Sequence, residues 1–163
     1  MFHLSFYEHE DIEKILWRNA SVLKTEMEAP AKKIIAERAR RTPRVANRLL
    51  RRVRDYAQIK HCGIITQKSA EEALALLHVD VYGLDEVDHK ILRALIEKFS
   101  GGPVGLSTLA ASIAEDIDTL ETIYEPYLLQ IGMIERTPRG RKATRLAYSH
   151  LHQTPPPSTE PFI

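Results

Sequence analysis

The chain has 163 residues, 44% apolar and 28% charged, with a net charge of +1. That is room for one ordinary domain or two small ones, with the composition of a soluble globular protein. No apolar run approaches the ~20 residues of a membrane span, no basic-then-apolar secretory signal opens the chain, and a lone Cys62 excludes an internal disulfide framework and fits a reducing cytoplasm.

Helical spacing of Ile12, Ile15, Leu16, Val22 and Leu23 places a first helix within residues 8–23. Pro30 suits a first helical turn and leads a second helix, Ala31 to Ala39, with Ile34 and Ile35 inward. Thr42 as N-cap and Pro43 as first helical residue begin a third. Its Val45, Leu49, Leu50, Val53 and Tyr56 form one stripe, and Arg44, Arg48 and Arg51 share another face. After Ile64-Ile65, Thr66 caps a fourth helix running to about Leu77, completing a four-helix unit. Val79–Gly83 reads as a linker.

Asp85 to Phe99 is predicted as an amphipathic helix with Val87, Ile91, Leu92, Leu95 and Phe99 inward, broken by Gly101-Gly102-Pro103. Ser107 caps a short helix through Ile113, and another runs from about Asp118 to Gln130. Within it, the proline of Glu125-Pro126-Tyr127 removes a backbone donor and predicts a kink, read as a packing adjustment. Gly132–Arg136 and Arg141–Thr144 flank the turn Thr137–Gly140 as a hairpin, and helices closed by a basic hairpin make the winged form of the helix-turn-helix. A last turn around Tyr148 and Leu151 packs back on the core. From His152 onward, Pro155, Pro156, Pro157 and Pro161 accompany too little apolar content to fold.

The near-neutral total hides segregated charge. Seven of the fifteen residues from Arg40 to Arg54 are arginine, and Arg136, Arg139, Arg141, Lys142 and Arg145 lie within ten residues. The tetrapeptide Arg-Thr-Pro-Arg occurs in both clusters, at 41–44 and 136–139. Guanidinium groups on locally fixed backbone suit phosphate. Arg44, at a helix start where open amides and the macrodipole favour anions, is the candidate in the first half. In the second, the hairpin charges are expected to project into solvent and clamp a nucleic-acid backbone. With ~3–5 phosphate contacts, log K should fall against log salt with a slope of about −3 to −5. The helix that would enter a groove carries Asp118, Glu121 and Glu125, so backbone or shape recognition is expected rather than base reading.

Enzymatic constellations are mostly absent from the sequence. The nearest approach to a phosphate-cradling loop, residues 101–107, has Ser100 at the first glycine position and Leu106 at the lysine position. No apolar strand ends in paired acids for magnesium, no Ser/His/Asp grouping is visible, and the His61-Cys62 pair has no second pair at zinc spacing, so no metal site is expected.

The run from Arg41 to Ala57 closely resembles the signature of the RuvB family, bacterial motor ATPases of Holliday-junction branch migration. Residues 99–106, Glu125-Pro126-Tyr127-Leu128 and residues 136–141 match the same family in the same order. The resemblance covers about Phe6 to Leu151. It implies a mainly α chain, an AAA+ helical lid (small ATPase) domain followed by a winged-helix domain with a short β-hairpin wing. Residues 1–7 would be the remnant of a large ATPase domain, 8–80 the lid, 84–151 the head and 152–163 a disordered Pro-rich tail. By motif match, Tyr7 corresponds to an aromatic near the adenine and Arg44 to the sensor arginine that reaches the ATP phosphates. Arg136 and Arg141, with Arg139 between them, correspond to the DNA-binding wing. ATP or ADP with magnesium is implied only for the complete motor, as are RuvA, RuvC and a RuvB homohexamer as partners. Without Walker motifs or arginine finger, this chain alone is expected not to hydrolyse ATP; the alternative is a free-standing winged-helix DNA-binding or regulatory module. Two departures stand out: Arg41 replaces a family glycine, and Ile117 stands where relatives often carry a basic residue.

Overall fold

The computed structural model describes residues 7–156. Residues 1–6 of the expected N-terminal remnant and 157–163 of the expected tail lie outside the described residues. The chain divides into two units, at Asp85 and Glu86.

The first unit is built from α1 (His9–Val22), α2 (Ala29–Glu37), α3 (Pro43–Lys60) and α4 (Gln67–Leu76). Each contributes a narrow apolar stripe to one core: Ile12 and Leu16, then Ile35, then Leu49, Leu50 and Val53, then Ala70 and Leu74. Burial of each large side chain stabilises by roughly 1.5–3 kcal/mol. Val22 departs from expectation and is exposed, because the buried stripe of α1 follows Ile12, Leu16 and Ala20 around to the opposite side. Thr66 caps α4 as its sequence predicts, in a reciprocal box with Ser69. Thr42 precedes α3 but caps nothing with its side chain, since its hydroxyl donates to the Arg40 carbonyl.

Val79–Gly83 is not a loose linker. Val79 is buried in this core, Asp80 Oδ1 accepts from the Tyr82 and Leu84 amides at 2.9 Å, and Arg40 Nε donates to the Gly83 carbonyl at 2.8 Å. Short polar side chains that bond backbone two and four residues on turn such a segment into a fixed strap.

The second unit begins with α5 (Glu86–Arg93), which widens into a π-turn at Ala94–Lys98. Next come α6 (Leu106–Ile113), the short α7 (Ile117–Thr119), a second π-turn at Leu120–Tyr124, and α8 (Glu125–Gln130). Strands β1 (Ile134–Thr137) and β2 (Gly140–Ala143) form an antiparallel ribbon, and α9 (Arg145–His150) closes the unit. Gly105, not Ser107, is the N-cap residue of α6. Gln153, expected in the disordered tail, is held by the Tyr148 carbonyl at 2.8 Å and by Glu97. Among the described residues no helix is long and apolar enough to cross a membrane.

Candidate functional site

Strand alternation sets the wing's geometry. Ile134 pairs with Ala143 and Arg136 with Arg141, and side chains two apart share a face. Ile134 and Ala143 are buried, and Arg136 and Arg141 lie on the same face of the ribbon. Glu135 and Lys142 take the outer face and pair at 3.4 Å. The expectation that the hairpin charges project into solvent therefore holds for Arg136 and fails for Arg141. Arg136 keeps 55% of its side-chain exposure, Arg141 only 15%.

Two arginines directly opposite on one face repel, and what holds them is Glu125. Its Oε1 accepts from Arg136 Nε at 3.0 Å and Nη2 at 2.8 Å, and from Arg141 Nε at 3.0 Å; Oε2 accepts from Arg141 Nη2 at 2.9 Å. The Glu125 side chain is wholly buried, and these charge-assisted bonds compensate its desolvation. The carboxylate beside it holds the Arg136 guanidinium above the usual arginine range, with a smaller contribution from Glu121.

The local backbone explains why Glu125 faces inward. In an α-helix, residues five apart diverge by about 140°. The Leu120–Tyr124 turn is wider, with the Glu125 amide bonded to the Leu120 carbonyl, so Leu120, Glu125 and Leu128 all turn to the interior. Pro126 ends the wide turn; lacking an N–H, it can make no i→i−4 bond. Helical spacing alone makes this proline a packing adjustment and puts Glu125 among the acids facing a ligand. Glu125 is instead the buried anchor of the wing, leaving Asp118 and Glu121 as the exposed acids of that helix.

The ribbon is clamped from its other side. Arg141 exchanges both backbone bonds with Val104, at 2.8 and 2.9 Å. The approach is too close for a side chain: a Cβ on Gly140 (φ +134°) would lie 2.2 Å from the Val104 carbonyl oxygen, and one on Gly102 2.4 Å from that of Arg141. Beyond this clamp, Arg139 in the turn and Arg145 at the start of α9 are exposed and make no ion pair among the described residues. Ile117 is exposed at the start of α7.

In the first unit, Arg44 lies in the first turn of α3, exposed and without an ion pair among the described residues. Arg48, Arg51 and Arg52 continue an equally unpaired stripe, while Arg54 is tied to Asp55 at 2.6 Å. Tyr7 is exposed, and its carbonyl accepts from Arg41 Nε at 3.0 Å; Arg41 also pairs with Glu8. Arg41 has φ +53°, the left-handed conformation that glycine adopts without strain. Cys62 is exposed and reduced.

The family models for the RuvB AAA lid domain and the RuvB C-terminal winged helix domain match residues 7–80 and 81–152. The chain belongs to the RuvB family. It is 60% identical over 151 residues to the Holliday junction branch migration complex subunit RuvB of Dehalococcoides mccartyi, covering 93% of this chain and 43% of that protein. It is 53% identical over 156 residues to the RuvB subunit of Koribacter versatilis, covering 96% of this chain and 43% of that protein. The Thermotoga maritima RuvB Holliday junction branch migration motor superposes with a TM-score of 0.90 at 46% identity, over 94% of this chain and 51% of that one. The chain thus spans about half the length of the RuvB proteins it matches, and its architecture is RuvB lid plus RuvB winged helix.

Proposed function

We propose that this chain supplies the lid and the DNA-gripping head of a RuvB-type motor that drives branch migration of Holliday junctions, with residues 8–80 as lid and 84–151 as head. The wing carries the reading: a ribbon pinned by Val104 and Glu125 holds Arg136 and Arg139 on fixed backbone, and Arg145 opens α9 just after it. That suits a repeating phosphate backbone and reads no base edges. In the complete motor Arg44 reaches the phosphates of ATP bound with magnesium, and Tyr7 lies near the adenine. Arg44 fits that role because it is exposed, unpaired among the described residues, and at a helix start that no side chain caps. ATP hydrolysis supplies the free energy, and the arginines of the wing hold the strand being moved. The partners are other RuvB subunits in a hexameric ring, RuvA at the junction and RuvC as resolvase, in the cytoplasm. A free-standing DNA-binding module would leave Arg44 and its stripe unused.

The test is a chimera in which residues 8–151 replace the corresponding part of the Thermotoga maritima motor. The chimera should migrate four-way junctions in an ATP-dependent manner, and Arg44→Ala within it should abolish turnover while junction binding persists. A chimera that folds and binds DNA but never moves a junction contradicts the proposal.

A further inference from the structure

We propose that Arg40 is the positioning residue that transmits nucleotide sensing to the head: its guanidinium staples the strap leading to the second unit onto the turn that begins α3. This rests on the reading of the chain as lid and head of a motor, and it concerns a residue outside both Arg-Thr-Pro-Arg motifs.

Two left-handed residues stand side by side where α2 hands over to α3. Arg40 and Arg41 both have φ +53°, a conformation costly for any residue with a Cβ. Their side chains part. Arg41 Nε donates to the Tyr7 carbonyl, where the chain enters the first unit, and Arg40 Nε donates to the Gly83 carbonyl, where the chain prepares to leave it. The turn itself is tied, the Thr42 amide donating to the Ala39 carbonyl at 3.0 Å and the Thr42 hydroxyl to that of Arg40 at 2.9 Å. Arg44, the candidate phosphate sensor, follows in the first turn of α3. Entry, exit and sensor therefore share one short stretch of chain.

The hold on the exit is built at several points. Arg40 Nη2 reaches Asp85 Oδ2 at 3.4 Å, and with the Arg40 side chain only 11% exposed, water competes little for it. Arg38 Nη1 donates to the Val79 carbonyl at 3.4 Å. Gly83 (φ +73°) passes so close to the end of α2 that a Cβ there would stand 2.4 Å from the Arg38 carbonyl oxygen. Residues 79–85 are thus held at both ends by arginines, with Asp80 fixing the backbone between, and Asp85 is the last residue of the unit. A displacement of α3 is carried to the point where the chain departs instead of being taken up by slack.

Arginine suits the task because its planar fork holds a carbonyl with Nε and a carboxylate with Nη2 at the same time, whereas an ammonium is a point donor on a flexible stem. A contact that only stabilises the fold and one that transmits motion predict different losses. Without a stabiliser, ATP turnover and junction movement fall together. Without a transmitter, turnover persists and movement is lost.

The experiment measures ATP turnover and four-way-junction migration on the same sample of the chimeric motor. Arg40→Gln should lower the movement obtained per ATP by about fivefold or more, with turnover within about twofold of the unsubstituted chimera. Arg40→Lys should fall in the same direction, because an ammonium cannot hold both groups in place. Proportional losses of turnover and movement, or no loss of either, overturn the proposal and leave the motor reading standing. An unsubstituted chimera that moves no junction removes both. Hydrogen exchange on the full chain covers the case in which the variants do not fold. In the unaltered chain the Tyr82, Gly83 and Leu84 amides should be protected as strongly as those in the last turn of α2. In Arg40→Gln they should exchange about tenfold faster. Strap amides that exchange in the unaltered chain as freely as in an unfolded one contradict the staple.

Discussion

Arg136 and Arg141 face each other across the two-stranded ribbon, and both guanidinium groups converge on one buried carboxylate, that of Glu125. Like charges placed directly opposite would ordinarily push the strands apart. Here the anion between them turns repulsion into a three-residue lock that joins the wing to α8.

The opposite side of the ribbon is locked by backbone alone, which makes Gly140 sensitive. Gly140→Ala places a Cβ against the Val104 carbonyl oxygen at 2.2 Å, at a φ of +134° that other residues rarely adopt. The head should lose about 2–3 kcal/mol of stability. Hydrogen exchange should show faster opening of amides in residues 86–153, with those of α1 to α4 unchanged.

Glu121 lies near enough to Arg136 to raise its proton affinity, and it is exposed. It therefore opposes an approaching phosphate. Glu121→Gln should tighten junction binding roughly two- to fivefold at low salt, the gain fading as screening sets in. Fluorescence anisotropy at two salt concentrations measures this, and weaker binding would show that Glu121 contributes a contact instead.

Arg41 occupies a left-handed conformation at φ +53° while tying down the Tyr7 carbonyl and pairing with Glu8. Replacing it with glycine relieves about 1 kcal/mol of backbone strain and removes an exposed ion pair worth up to about 1 kcal/mol. The two effects offset, so Arg41→Gly should leave the melting temperature nearly unchanged. The loss appears locally, as faster amide exchange at Tyr7 and Glu8.

Glu72 accepts hydrogen bonds from His61 Nε2 at 2.8 Å and Tyr56 Oη at 3.0 Å, which hold its carboxyl below the ordinary value of 4.5. A depressed folded-state value means that the contribution is present above the unfolded-state value and lost as pH falls through the folded one. Tyr56 is raised above its ordinary 10.0 by the same bond, so its share is full below 10.0 and disappears as pH rises through the folded value. Urea unfolding at several pH values should show the wild type more stable than Glu72→Gln near neutrality, with the difference shrinking below about pH 4.5. A difference independent of pH would contradict the assignment.

Most of the lid was legible from the sequence because its helices bury single stripes at ordinary spacing, as Leu49, Leu50 and Val53 do in α3. The wing was legible as a hairpin but misread in orientation. Charge alone suggested that Arg141 points outward, whereas alternation with Ala143 already assigned it to the buried face. Glu125 was missed for a different reason: a π-turn breaks the 3.6-residue period, so helical spacing cannot place it. The one sequence signal was the proline that follows it. The strap at Val79–Gly83 was read as a linker because its order comes from Asp80 and Arg40, polar groups bonding backbone, which hydrophobic periodicity does not register.

A wing that grips DNA through its phosphates is tested most directly by the salt dependence of junction binding. Arg136 and Arg139 of the wing and Arg145 at the start of α9 are exposed cations outside the Lys142–Glu135 pair, so log K against log salt should have a slope of about −3. Arg136→Ala and Arg139→Ala should each make that slope shallower by about one. A slope near zero, or one that neither substitution changes, would contradict the account.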